Sequence, residues 1–476
     1  MKKFINNTWV LMFAFVLFAS TGCEDLTELN VDPNSPTDVP AENLLTQGQY
    51  ALYNQLHSRG FNAEWSMLMV QHWSQNEYAE ESRYLVDANS FNGAWTTFYA
   101  SVLNELNTAR EKIAADENVV GARKANQLAI VDILMADAYH NATDSWGSIP
   151  YSQSLNAEFP NPSYDTQESI YSSLLSKLDA ALGSMDASSG SFDSGDIIFG
   201  GDVDKWKKLG ASLMLRMAMR VSDVASSTAS EYVGKAINYG VISSNADNGL
   251  FVFNSDPNLA NPLYIDNSVN GRDDFAVSDV LVDKLAELGD PRIEAYAALN
   301  NDMVYRGMPY GLTDAEAFAL KSVTSRPSGG VRDATAPHVI MDFAEVSFLL
   351  AEAVERGYTS GSAADHYNNG VTASMNYWGY TDVDAYINAN PYDAANWKQS
   401  LGTQKWIAFY TNGPQAWAEW RRLDAPALEV PAAASNPSIP VRLPYPISED
   451  TNNGSNLDAV TSDINDLNGK MWWDVN

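Results

Sequence analysis

The sequence predicts a mainly α-helical globular fold. Apolar residues recur at helical spacing in segment after segment, and Gly- and Pro-rich connections separate those segments in pairs. The chain is 45% hydrophobic with a single cysteine in 476 residues, so no disulfide can form within it. Its core must therefore be large enough to hold the fold without covalent staples.

The N-terminus comes first. Lys2 and Lys3 precede an unbroken apolar stretch over residues 9–19, then Ser20-Thr21-Gly22 and the lone Cys23. That stretch is too short to span a bilayer as a helix and has the anatomy of a secretory signal. A cysteine directly after small residues predicts a lipobox. Residues 1–22 are then a signal peptide and Cys23 carries the acyl chains, more than one of which gives stable anchoring. Ser20 stands where the strict pattern prefers Leu. Residues 23–40 read as a tether, with turn formers at Asn30, Asp32-Pro33-Asn34 and Ser35-Pro36.

Residues 41–476 are expected to be one helical domain. Asp165-Thr-Gln-Glu168 has the spacing of a capping box, ahead of the stripe Ile170, Leu174, Leu178, Leu182, Met185. Asp204 precedes Trp206, Leu209, Leu213, Met217 and Val221, with Lys205, Lys208, Arg216 and Arg220 elsewhere around that helix. Leu128, Val131, Met135, Ala138 and Tyr139 form a third stripe, and Phe343, Val346, Leu350 and Ala353 a fourth. Further helices are expected over 41–57, 94–115, 277–288, 362–378, 397–410 and 414–423. Residues 240–275 and 300–340, rich in Gly, Asn, Asp and Pro, read as long irregular loops over the scaffold. The part from Ala425, with six prolines, reads as coil.

Composition narrows the function. The formal net charge is −31, and −33 once Lys2 and Lys3 are removed with the signal. Such acidity excludes nucleic acid as a partner and an electrostatic dock on anionic lipid. There is no HExxH, G-x-S-x-G, P-loop or G-x-G-x-x-G pattern. His57, His72, His140, His338 and His366 show no metal-ligand spacing. Asp247-Asn248, Asp256 and Asp273-Asp274 suit turns or a Ca²⁺ site. With 60 acidic residues, some carboxylate pair of glycosidase type will fall close in space, which carries little information.

The positive signal is aromatic. Trp, Tyr and Phe total 53. Trp65, Trp73, Tyr78, Tyr84, Phe91 and Trp95 are interleaved with Gln71, His72, Gln75, Asn76 and Glu77. Rings beside hydrogen-bonding side chains suit sugars, whose C–H faces stack while hydroxyls are bonded. The candidate ligand face is Trp73, Tyr78, Tyr84 and Trp95 for stacking, with Asn267, Arg272 and Asp274 from the 255–275 loop for hydrogen bonds. The alternative is that the rings are core between helices.

Several motifs together resemble the SusD/RagB family of outer-membrane lipoproteins, in its SusD-like branch. They are Leu29-Asn-Val-Asp-Pro-Asn-Ser-Pro36, Asp144-Ser-Trp-Gly-Ser-Ile-Pro-Tyr151 (with Ser148 in place of the usual acidic residue), Tyr164 to Tyr171, Trp206 to Arg220, Asp290-Pro-Arg292, Ala344 to Ala353, Gly413 to Arg422, Ile439 to Pro446 and Lys470 to Asp474. The resemblance implies a SusD-like fold of four tetratricopeptide-like helix pairs plus a loop-rich second layer. It implies an outer-membrane, lipid-anchored binding protein rather than an enzyme, with no cofactor, and a SusC-like TonB-dependent β-barrel as partner. Glu24-Asp25 looks like the family's surface-export signal. Ligands across the family are glycans or peptides. Trp420, Arg421 and Trp472 read as scaffold. A lipid-anchored helical glycoside hydrolase stands as a further alternative.

Overall fold

The computed structural model describes residues 39–476; the signal segment, Cys23 and the tether up to residue 38 lie outside the described residues. Twelve described helices have ten residues or more: α1 Ala41–Leu56, α2 Asn104–Ala115, α3 Gly121–Trp146, α4 Gln167–Ser184, α5 Val203–Arg220, α6 Ser226–Tyr239, α7 Asp279–Leu288, α8 Phe343–Glu355, α9 Ala363–Tyr377, α10 Trp397–Ala408, α11 Gly413–Leu423 and α12 Ile447–Leu457. Four antiparallel pairs form the body: α1 with α2, α3 with α4, α5 with α6, and α8 with α9. Residues Ala41–Asn476 make one compact unit.

Small residues set how closely these helices approach. A Cβ on Gly210 of α5 would stand 2.8 Å from Ile133 of α3 and 2.9 Å from Leu182 of α4. A Cβ on Gly370 of α9 would sit 2.6 Å from the Phe348 ring of α8. The stripes face inward as expected: Ile170, Leu174, Leu178 and Leu182 are buried, as are Trp206, Leu209, Leu213 and Met217. The caps differ by position. Thr166, not Asp165, caps α4 by accepting from the Ser169 N–H. Asp165 instead accepts from the amides of Tyr151 (3.1 Å) and Ser152 (2.8 Å). Asp202, two residues before Asp204, caps α5.

Two segments read as loops are more ordered than expected. β4 Gly249–Phe251 pairs antiparallel with β6 His338–Met341, and the short helix Asp314–Leu320 lies within 300–340. Two further antiparallel pairs join β1 Trp73–Gln75 to β5 Phe275–Val277, and β2 Ile149–Pro150 to β3 Tyr164–Asp165. All are two or three pairs long between distant segments, so local patterning could not reveal them. The C-terminal part is coil apart from α12.

Arg216 and Arg220, placed around α5 from the sequence, are buried. Arg216 donates to Glu345 at 2.6 Å through both Nε and Nη2, and to the Ile340 carbonyl. Arg422 of α11 pairs with Glu352 of α8 and Glu419 at 2.6 Å, and Lys405 of α10 also donates to Glu419. Charged groups here do what a disulfide does elsewhere: they tie three helices together at fixed register.

Buried histidines give the fold a pH dependence. The Nδ1 atoms of His57 and His338 lie 3.4 Å apart in the core, and His72 donates through Nε2 to the Trp406 carbonyl at 2.9 Å. Burial pushes His57 down to about 4 and His72 down to about 3, and holds His338 well below the usual histidine range. In the unfolded chain these rings titrate near 6.5. Their stability contribution is fully present above that value and is lost as pH falls through it toward 4 and 3. Each can steepen the loss by up to about 1.4 kcal/mol per pH unit. Asp342, raised by burial to about 7, acts in the opposite sense, its contribution being lost as pH rises through 7. Burial also raises the carboxyls of Asp137, Glu81, Asp266, Asp279 and Asp474, which act with Asp342, so the histidine contribution is read by difference: between pH 7 and pH 5 the melting temperature of the wild type should fall relative to that of His72→Gln. An identical pH profile in the two proteins would contradict a neutral, buried His72.

Candidate functional site

The β1–β5 ladder decides where the predicted site residues go. Trp73 stands opposite Val277 and Gln75 opposite Phe275. The Asn76 amide continues the ladder to the Asp274 carbonyl at 2.8 Å. The aromatic-rich segment and the 255–275 loop, almost two hundred residues apart in sequence, therefore emerge side by side.

The four rings do not share a face. Trp73 is 1% exposed, lies against Phe275, and donates its indole N–H to the Tyr410 hydroxyl at 2.9 Å. Tyr84 is buried as well, and burial pushes its phenol up to about 12. Trp95 packs on Tyr99 and Trp146 and donates to Glu449 at 3.1 Å, well away from this ladder. A stacking surface built from Trp73, Tyr84 and Trp95 is thus corrected: Trp73 lies in a strand buried on both faces, and Tyr84 and Trp95 are packed into the core. Tyr78 differs. It is 61% exposed, and a left-handed backbone (φ +53°) lifts it out of the chain path.

The polar set gathers around Tyr78. The Arg272 guanidinium lies 5.2 Å from the Tyr78 ring centroid, within cation–π range. Arg272 Nε donates to Asp274 at 2.7 Å, and Asn267 closes the loop by donating to the Arg272 carbonyl at 2.8 Å. Beneath them Arg59 donates to Asp274 (2.8 Å), Asp266 (2.6 Å) and Glu64 (2.6 Å). Burial raises the Asp266 carboxyl although Arg59 pulls it down. Asn267 and Asp274 therefore chiefly hold the loop, while Tyr78 and Arg272 present the free surface. The crevice between this loop and Pro327 and Arg332 holds about 10 Å³, room for no more than a water. What the site offers is an open face, not a pocket.

Further loops extend that face. Lys321 donates to Glu77 at 2.7 Å and Arg326 to Asp273 at 2.7 Å. Asp314 accepts the Ala79 amide, and Asn300 and Asn301 bind the carbonyls of Val323 and Ser322. On the loops so joined, Val269, Met303 and Phe318 are exposed apolar residues. Sequence reasoning missed Arg59, Lys321, Met303 and Phe318; no local pattern marks them, because only the tertiary pairing of 76–84 with 265–274 and 313–326 makes them neighbours.

The acidic residues weighed for Ca²⁺ are spread out. Asp247 pairs with Lys208 at 3.0 Å, Asp256 caps its own turn at Asn258, and Asp274 belongs to Arg59 and Arg272. Among the described residues no cluster of three or more His, Cys, Asp or Glu could hold a metal ion.

Four stacked helical pairs, with ordered loops presenting an aromatic and cationic face above them, define a tetratricopeptide-like binding scaffold. The model of the SusD-like family described as "Starch-binding associating with outer membrane" matches residues 33–446, and the chain belongs to that family. Among solved structures it is similar to a protein named as chitin-binding, at 30% identity and a TM-score of 0.81, covering 92% of this chain and all of that one. It also resembles a SusD homologue from Bacteroides uniformis (23% identity, TM-score 0.81, 92% and 100% covered). A chitin-binding SusD homologue from Flavobacterium johnsoniae shares the fold (24% identity, TM-score 0.80, 91% and 99% covered). No curated protein matches the chain significantly. The SusD-like fold expected from the motifs is the one found.

Proposed function

We propose that this chain is a cell-surface lipoprotein that captures a neutral oligosaccharide on the Tyr78–Arg272 face and passes it, without cleaving it, to a SusC-like TonB-dependent β-barrel. The observation that carries it is the exposed Tyr78 ring backed by Arg272, displayed by loops that Asp274 and Asn267 hold in place. A ring of this kind stacks on a sugar, and the guanidinium and nearby carboxamides bond its hydroxyls. Family membership supports carbohydrate binding at the outer membrane. Chitooligosaccharides are the first ligands to try, because the relative at 30% identity is named for binding chitin. The anchor in this reading is Cys23, with residues 1–22 as its signal and Glu24-Asp25 directing display, supported by the lone cysteine after an apolar stretch and small residues.

A calorimetric panel tests the ligand class. Chitotetraose or maltotetraose should bind saturably and a mixed peptide library should not; capture of peptides alone would transfer the scaffold to the peptide-binding reading. Cys23→Ala tests the anchor. The variant should leave the outer-membrane fraction, because the only acylation site is gone; retention there through detergent-extractable lipid would refute the lipobox.

A further inference from the structure

We propose a second, independent site for neutral oligosaccharide, in a groove of about 600 Å³ between the 151–163 loop, α12 and the helical turn that carries Trp95. Its volume lies within the range of about 300–1,000 Å³ typical of small-molecule sites. It shares no lining residue with the crevice beside Arg272.

The groove has the chemistry of a sugar site. Tyr99 and Phe159 supply aromatic surface, with Phe159 40% exposed on the outer wall. Trp95 closes the inner end. Its indole N–H donates to Glu449 Oε1 at 3.1 Å, and the Tyr164 hydroxyl donates to Oε2 at 2.7 Å. Glu449 is thereby fixed from behind, and a carboxylate has about four lone-pair sites, so acceptors remain for a ligand's hydroxyls. The exposed Asn104 and Asn452 line the same groove, and their side chains make no hydrogen bond among the described residues. A fixed carboxylate and an excess of acidic residues over the whole chain select against anions, while free carboxamides and ring faces suit uncharged polyols.

The walls are already built. Asn161 donates to the Asn452 carbonyl (2.6 Å), Asn456 to the Asn161 carbonyl (3.0 Å), and Asn453 to the Pro162 carbonyl (2.9 Å). These bonds staple the loop to α12. Asn453 leaves helical geometry to make its bond, and Leu155 holds a left-handed φ of +60° on the opposite side. A preformed groove spares the ligand the cost of ordering it.

The test uses the full chain and chitotetraose, with maltotetraose as a second probe, followed by calorimetry. Phe159→Ala and Asn452→Ala sit on exposed positions and should leave the melting temperature unchanged. Wild type should bind two equivalents. Phe159→Ala should weaken one of them about five- to tenfold, as expected for loss of a stacking contact of about 1 kcal/mol. Tyr78→Ala should weaken the other and leave the Phe159-dependent equivalent intact, so failure of the Tyr78 face and failure of this groove are read separately. A single equivalent abolished by Tyr78→Ala alone overturns the second site. So does a Phe159→Ala variant with unaltered sugar binding that no longer co-purifies with a β-barrel, which would make the groove a protein interface.

Discussion

Glu352→Gln is expected to destabilise the protein by about 3–5 kcal/mol, the range for removing one partner from a buried ion pair. Glu352 is fully buried and accepts from Arg422 at 2.6 Å and from Arg356 at 2.8 Å, with Lys405 at 3.7 Å. Burial by itself would raise its carboxyl; Arg422, then Lys405 and Arg356, override that and hold it down to about 2. The amide keeps the shape and removes the charge. Arg422 and Lys405, both buried, are then left with Glu419 alone between them. Because α8, α10 and α11 meet at this cluster, the loss should appear as a lowered urea midpoint for the whole unit. A change below about 1 kcal/mol would mean that Glu419 and solvent suffice.

Trp73→Ala should cost about 3–5 kcal/mol, as for other large aromatic truncations in a core. The ring is buried against Phe275, and its N–H anchors Tyr410, which itself stacks on Tyr296 at 4.1 Å. Losing it leaves a cavity under the β1–β5 ladder and removes one of the two hydrogen bonds of that hydroxyl, which still donates to the Tyr296 carbonyl at 3.0 Å. Tyr78→Ala, five residues on, should change stability by no more than about 0.5 kcal/mol, as surface substitutions do. Thermal or urea unfolding of both variants separates core from face. Equal, small losses would show that Trp73 is not structural.

Most of the helical body was legible in the sequence because amphipathic stripes are local, and a window of about fifteen residues suffices to display one. The helix Ser226–Tyr239, which pairs with α5, was missed: only Ala229, Val233 and Ala236 of it are buried, too narrow an apolar stripe to mark it. The cap of α4 slipped by one position because Asp165 and Thr166 are both competent N-caps by residue type. The candidate face was half legible. Composition singled out two segments, and the antiparallel ladder brings them together. It could not tell Trp73 from Tyr78, because Trp73 is buried by a ladder to a partner two hundred residues away while Tyr78 lies beyond the strand in a bend with a left-handed backbone. The family motif running from Gly413 to Arg422 marks scaffold for the same reason that it is recognisable: Glu419 and Arg422 sit in the buried ion cluster, and Arg421 stacks 3.7 Å over Trp417.

The central claim is that the loop face at Tyr78 captures oligosaccharide without turning it over. Titrating wild type and Tyr78→Ala with chitotetraose, then analysing the recovered sugar, tests it most directly. The equivalent that depends on this face should bind about five- to tenfold more weakly in the variant, at an unchanged melting temperature, and the tetrasaccharide should return intact. Equal affinity in both proteins, or shortened sugar after incubation with either, would contradict it.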